Sequence, residues 1–353
     1  MNSLAISQDH KSGAALSPKV LAAAASGVED MIARFGGDID AIFGRATLRT
    51  DELSSPINEL SLQQYCALFE EAASQTGQDN FGLRFGQDFA PQRLGAIGYA
   101  AIASPTLGAG LRNLNHYFPA HQDSSLLGLE EEGDLLWLTY QIVDPRIERR
   151  RQDAELSLGM FCNVLRAALG PDWRPLEIHF EHRKPDAPGE HERRFGAPAR
   201  FSQRTNAIGF RRSALAAPMP GCDPYLFALI EPFLAERQAA RGGPGDLIAT
   251  LRQEIKLRLG EGSTSLGTLA KRMGISTAAL QRQLREAGVA YNDLLRATRQ
   301  ELALRYVRET DMPLTEIALA VGYSELSAFS RAFRAWTGLS PQRFRREAAR
   351  DAG

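Results

Sequence analysis

Apolar residues recur at three- and four-residue intervals through much of the chain, and the pattern changes character twice. Leu62, Tyr65, Phe69 and Ala72 share one face of a helix predicted over 61–77. Ser61 and Gln64 stand at capping-box spacing before it, and Gly77 closes it. The stretches 18–36, 103–118 and 153–170 carry the same helical pattern with Pro or Gly at their ends. Between them, 134–143 (DLLWLTYQIV), 175–182 (PLEIHFEH) and 206–210 (NAIGF) read as strands from their alternating, β-branched and aromatic content. Helices mixed with a few strands predict an α+β body over 17–237. Residues 1–16 are expected to be an unstructured tail. The glycines and proline of 238–245 predict a linker. Beyond it no strand pattern occurs, so 246–346 is expected to be all helix, with a short tail over 347–353.

Within that helical region one short design occurs twice. Leu314, Ile317, Ala318 and Val321 form an apolar stripe on a two-turn helix, Gly322 supplies a sharp turn, and Tyr323 plugs its inside. Ser324 is placed to cap the next helix, which buries Phe329, Phe333 and Trp336. Leu326, Ser327, Ser330, Arg331 and Arg334 are left facing outward. About fifty residues upstream, Leu266, Leu269, Ala270 and Met273 precede a turn at Gly274, Ile275 and Ser276. The helix that follows buries Leu280 and Leu284 and turns Thr277, Ala278, Gln281, Arg282 and Arg285 outward. This is the helix-turn-helix arrangement, whose second helix enters a major groove. Arg pairs bidentately with guanine, Gln with adenine, and small apolar groups meet thymine methyls. Residues 291–309 predict a rigid connecting helix with Leu295, Leu302 and Tyr306 on one side. Such a spacer holds two recognition helices about 34 Å apart, one DNA turn, so that one chain reads a bipartite site.

Charge agrees with this division. From Asp246 onward there are 17 Lys+Arg against 12 Asp+Glu, whereas the residues before it hold 24 against 30, so the acidic body carries a basic tail. A length of 353 residues suits two domains, and no apolar run approaches a membrane span. The N-terminal segment lacks the continuous apolar core of a signal peptide. Cys66, Cys162 and Cys222 stand far apart and outside any CxxC spacing, so buried free thiols of a cytoplasmic protein are expected.

Residues 314–346 (LTEIALAVGYSELSAFSRAFRAWTGLSPQRFRR) and 269–307 resemble the C-terminal region of AraC/XylS-type bacterial transcription regulators. The resemblance implies Thr277, Ala278, Gln281 and Arg282 at the first recognition helix and Leu326, Ser327, Ser330 and Arg331 at the second. Gln281, Arg282 and Arg331 then carry most of the sequence discrimination. The segments 95–118, 129–140, 150–156 and 177–210 resemble the N-terminal, arabinose-binding-like domain of the branch that holds ornithine- and virulence-related regulators. In such relatives this domain senses a small molecule or mediates self-association. The implied partners are double-stranded promoter DNA, RNA polymerase, a small-molecule effector and a second copy of the chain as a homodimer. No cofactor is implied.

Other constellations weigh less. His179, His182 and His191 with Glu181 suggest a metal site, but His179 and His182 point to opposite faces of a strand. Arg149, Arg150 and Arg151 read as ordinary salt-bridge partners near a helix start. Tyr99, Arg112, His116 and Tyr117 are the candidates for an effector site. No P-loop, nucleophile elbow, HExxH or dinucleotide fingerprint occurs. The expected function is a DNA-binding transcription regulator, an effector-responsive activator. The competing alternative is a ligand-independent repressor or architectural binder. An enzyme fused to a DNA-binding tail is disfavoured because the body holds no catalytic cluster.

Overall fold

In a computed structural model, which describes residues 17–351 apart from Pro145, Gly242, Gly243, Gly274 and Asp311, the helix predicted over 18–36 starts late. Lys19–Leu21 forms strand β1, a 3-10 turn covers Ala22–Ala25, and helix α1 spans only Val28–Arg34. β1 pairs antiparallel with β2 (Glu59–Ser61), a long-range pairing that overrides the local helical pattern. The tail expected over 1–16 lies outside the described residues. After α2 (Ile39–Arg45) comes α3 (Leu62–Thr76), which has the predicted extent. Its capping box does not form, because Ser61 ends β2 and makes no side-chain cap. Gln64 donates instead to the Thr47 carbonyl at 2.8 Å.

Three further helices, α4 (Phe81–Gln87), α5 (Ala96–Ile102) and α6 (Leu107–His121), lead to the sheet. The helix predicted over 103–118 begins at 107, where the Thr106 hydroxyl accepts from the Ala109 amide at 3.2 Å. A hairpin of β3 (Ser125–Glu132) and β4 (Leu135–Ile142) follows, then α7 (Arg151–Leu169). β5 (Glu177–His179) is shorter than the predicted 175–182. The body continues with α8 (Gly189–Phe195), β6 (Ala199–Arg200) and β7 (Asn206–Arg211), and α9 (Pro224–Arg241) closes it. The sheet order is β3-β4-β7-β5-β6, antiparallel except for β5 with β6. α7 is buried along most of its length and packs on α4 at very close range. A Cβ at Gly86 would lie 2.2 Å from the Leu156 carbonyl oxygen, so only glycine admits that approach.

α9 runs on through the first half of the expected linker over 238–245, anchored by Gln238 donating to the His116 carbonyl at 2.9 Å. The remaining helices are α10 (Pro244–Arg258), α11 (Leu266–Arg272), α12 (Thr277–Glu286) and α13 (Tyr291–Glu309). They are followed by α14 (Leu314–Ala320), α15 (Leu326–Thr337) and α16 (Pro341–Asp351). α16 takes up most of the tail expected over 347–353. One apolar cluster extends from Val20 to Leu234 and a second from Leu251 to Phe333, so the α+β body and the all-helical region each have a core. Cys66 and Cys162 are buried free thiols, but Cys222 is exposed, since it lies in the surface segment before α9. Among the described residues no helix is long and apolar enough to cross a membrane.

Candidate nucleic-acid interface

Each half of the helical region is a short helix, a tight turn and a longer helix with one wet face. In the first half, the Ser265 hydroxyl caps α11 and the Ser276 hydroxyl accepts from the Ala279 amide at 3.1 Å, satisfying a donor at the start of α12. Gly274, which the sequence places in the turn, lies outside the described residues. Leu280 and Leu284 are buried, and Thr277, Ala278, Gln281, Arg282 and Arg285 are all exposed. Arg282 lies 3.9 Å from Glu286, and both side chains are in solvent.

The second half repeats the plan with different chemistry. Gly322 takes a φ of +79°, and a Cβ there would lie 2.8 Å from the Leu259 carbonyl oxygen. Both conditions select glycine. Tyr323 packs edge-on against Phe329, with centroids 5.9 Å apart, and so fills the inside of the turn. Ser324 does not cap α15. The cap position is Glu325, which makes no side-chain cap bond and instead accepts from the Ser327 hydroxyl at 3.1 Å. Phe329 and Phe333 are fully buried, while Trp336 is half-buried. Leu326, Ser327, Arg331 and Arg334 are exposed and Ser330 is half-buried.

α13 joins the two halves. Its 19 residues give a rod of about 28 Å at 1.5 Å per residue. Leu302 and Tyr306 are buried and Leu295 is partly buried against the same cluster. The core of each unit therefore grips one shared helix, which fixes their spacing.

The body meets this same helix through charged groups that the sequence did not single out as partners. Glu181 is buried and accepts from Gln141 at 2.6 Å and from Arg150 at 3.0 Å. Arg305 of α13 lies 3.7 Å from the same oxygen that Gln141 bonds. Burial would raise the Glu181 carboxyl, but Arg305 and Arg150 outweigh it and hold it at about 2. Lys256 of α10 donates to Glu301 of α13 at 2.5 Å and to the Val143 carbonyl at 3.2 Å. Burial pushes its ammonium down to about 8 against the pull of Glu301. Arg308 pairs with Glu148 at 2.8 Å, and the Tyr306 hydroxyl donates to the Arg204 carbonyl at 3.2 Å.

The remaining candidates fall elsewhere. His182 and His191 flank buried Glu155, at 3.5 and 2.9 Å, while His179 stacks on Trp137 with centroids 4.4 Å apart. Burial would raise the Glu155 carboxyl, but the hydrogen bond from His191 and the charges of His182 and Arg151 hold it below its usual range. Among the described residues no three such side chains form a metal-sized group. Arg149, Arg150 and Arg151 pair with Glu71, Glu181 and Asp79 respectively. Tyr99 lies on α5, and Arg112, His116 and Tyr117 lie on α6. The Tyr117 hydroxyl donates to Glu231 of α9 at 3.3 Å. The cavities at the seam between body and helical region are lined by other residues.

Comparison with known proteins accords with this architecture. Residues 36–219 match the arabinose-binding domain of AraC transcription regulators, an N-terminal domain, and residues 269–347 match a helix-turn-helix domain. The chain is 27% identical to an ornithine utilization regulator of Pseudomonas aeruginosa, over 90% of this chain and 93% of that protein. It is 25% identical to the transcriptional regulator VirS of Mycobacterium tuberculosis, over 81% and 84% of the two chains. The crystal structure of the transcriptional regulator CdpR from Pseudomonas aeruginosa aligns with 90% of this chain and 98% of its own, at 18% identity and a TM-score of 0.43. With a helix-turn-helix region behind an AraC-type N-terminal domain, this chain is a DNA-binding transcription regulator and not an enzyme, and it belongs to the AraC family.

Proposed function

We propose that this regulator is an effector-responsive activator that reads a bipartite promoter site through α12 and α15. The observation that carries the proposal is the shared helix α13. It holds two units whose outward faces are polar and basic, and the body grips it through Glu181 and Glu148. A change of state in the body thus reaches the element that sets the spacing of both recognition helices. Base contacts are assigned to Thr277, Ala278, Gln281, Arg282, Leu326, Ser327, Ser330 and Arg331, and phosphate contacts to Arg285 and Arg334.

The functional division places effector sensing and self-association in 17–237 and DNA binding in 246–346. The gap between the two apolar clusters, after Leu234 and before Leu251, supports that division. A homodimer is supported by α9, where Tyr225 and Leu229, one turn apart, are exposed. Activation requires RNA polymerase, so the protein works on promoter DNA in the cytoplasm. Transcription in vitro from a mapped target promoter, with purified polymerase and the full chain, tests the proposal. Added protein should raise transcript yield, and Arg282→Ala should need more protein for the same rise. Lower transcript with intact protein would overturn the activator role and leave a repressor.

A further inference from the structure

The seam between body and α13 forms an open-mouthed cavity of about 380 Å³, within the size range of small-molecule sites. Its apolar wall is built by Val143 of the body with Ala297 and Leu304 of α13. Most of its polar lining is already committed. Asp144 is held by Arg146, Glu301 by Lys256 and Arg252, and Arg150 by Glu181 and the Ile147 carbonyl. Arg305 differs. Its side chain is nine-tenths buried, and Nη2 is a buried nitrogen without a hydrogen-bond partner. Its ion-pair neighbour, the Glu181 oxygen 3.7 Å away, already accepts a 2.6 Å bond from Gln141. A buried guanidinium with an unused donor is costly unless something accepts from it.

We propose that this cavity binds a small organic carboxylate, with its acid group against the Arg305 guanidinium and a compact apolar body against Val143, Ala297 and Leu304. The site deepens, and rests on, the proposal that the protein answers to an effector. A carboxylate there supplies the acceptor that Arg305 lacks and competes with Glu181 for the same cation. It also touches the residues of α13 that face the body. Binding therefore changes how tightly the body holds the helix between the two DNA-reading units.

The test uses the full chain, with benzoate and hexanoate as probes. Benzyl alcohol and 1-hexanol serve as neutral isosteres and inorganic phosphate as a simple anion. Thermal denaturation and titration calorimetry should show saturable stabilisation by the carboxylates and none by the alcohols or phosphate. Arg305→Gln should weaken carboxylate binding about tenfold or more, the loss expected for one charged hydrogen bond. Ala297→Phe, which fills the cavity and keeps the guanidinium, should abolish it. Gel shifts at fixed salt certify that both variants still fold and bind DNA, and if Arg305→Gln fails that check, Ala297→Phe decides. The proposal is overturned if neither carboxylate stabilises the protein, if the alcohols or phosphate match them, or if binding survives in Ala297→Phe. Neutral and cationic metabolites run alongside separate the two proposals. Stabilisation by one of these that persists in Arg305→Gln removes the cavity and leaves the effector role standing, whereas no response to any compound removes both.

Discussion

In the first helix-turn-helix unit a serine hydroxyl closes the start of the recognition helix, and behind it stand Gln281 and Arg282 in open solvent. In the second unit the helix starts at an exposed glutamate that spends its carboxylate on Ser327. The cores differ in the opposite sense. α12 buries two leucines, whereas α15 buries two phenylalanines and half-buries a tryptophan around Tyr323. One unit invests its chemistry in the groove-facing edge and the other in its packing. The expected division of labour is that α12 discriminates base pairs while α15 anchors the domain to DNA. Four experiments break or sharpen that contrast.

The largest effect is on stability. Phe329→Ala removes a fully buried ring that contacts both Tyr323 and Phe333, and should cost about 3–5 kcal/mol. Leu280→Ala in the first unit should fall nearer the lower end of the 2–5 kcal/mol expected for a leucine. Urea unfolding of the two variants compares them directly. Equal losses would mean that the second unit is not the better-packed one.

Next comes the geometry of the pair. Five base pairs inserted between the half-sites turn one of them by about half a helical turn, to the far face of the DNA. α13 cannot follow, because the cores of both units grip it. Affinity should fall on the order of a hundredfold, about 2.7 kcal/mol, toward that of one unit alone. Gel-shift titrations at fixed salt measure it. Undiminished binding would mean that only one unit reads DNA.

Base discrimination separates the units more finely. Arg282→Ala should lose about 1–3 kcal/mol and relax preference at one or two base pairs. Arg334→Ala should weaken all sequences alike and lower the salt slope by about one phosphate. A selection of bound sequences for each variant decides the matter, and unchanged base preference in Arg282→Ala would remove the assigned role of α12.

What could be seen in the sequence follows from the range of the forces involved. The two units were legible because each shows a 3.6-residue apolar stripe and a short break before the longer helix, with a capping hydroxyl ahead of α12 in the first and a glycine turn at Gly322 in the second. The strands β4 and β7 were legible for the same reason, as local apolar runs. β1 was not, because its partner β2 lies some forty residues away and a run of alanines imitates a helix. The capping box at Ser61 had the correct spacing, but the serine was already the end of a strand. Most opaque was the seam. Arg305 and Glu181 are separated by more than a hundred positions, and nothing local marks a glutamate in 175–182 as the counterion of a helix in another core. Glu181 did attract notice, yet beside the wrong neighbours. His182 and His191 gather instead around Glu155, which no local pattern pairs with them.

The smallest expected effect tests the caps themselves. Ser276 satisfies the Ala279 amide, so Ser276→Ala should leave that donor unpaired and cost about 1 kcal/mol. Ser324 looked equivalent by spacing, yet the backbone enters α15 one residue later, at Glu325. Ser324→Ala should therefore stay within about 0.5 kcal/mol of the parent, as substitutions at exposed positions without a special contact do. Glu325→Ser places a hydroxyl at the true cap position and takes away a carboxylate close to Ser327, one of the assigned base contacts. Such a change should add a few tenths of a kcal/mol or more to stability, and it should strengthen DNA binding most at low salt, where the repulsion between that carboxylate and phosphate is least screened. Paired urea melts of Ser276→Ala and Ser324→Ala, with gel shifts of Glu325→Ser at two salt concentrations, measure all three. Equal destabilisation by the two serine variants would place the start of α15 at Ser324 and erase the difference between the units at their first turn.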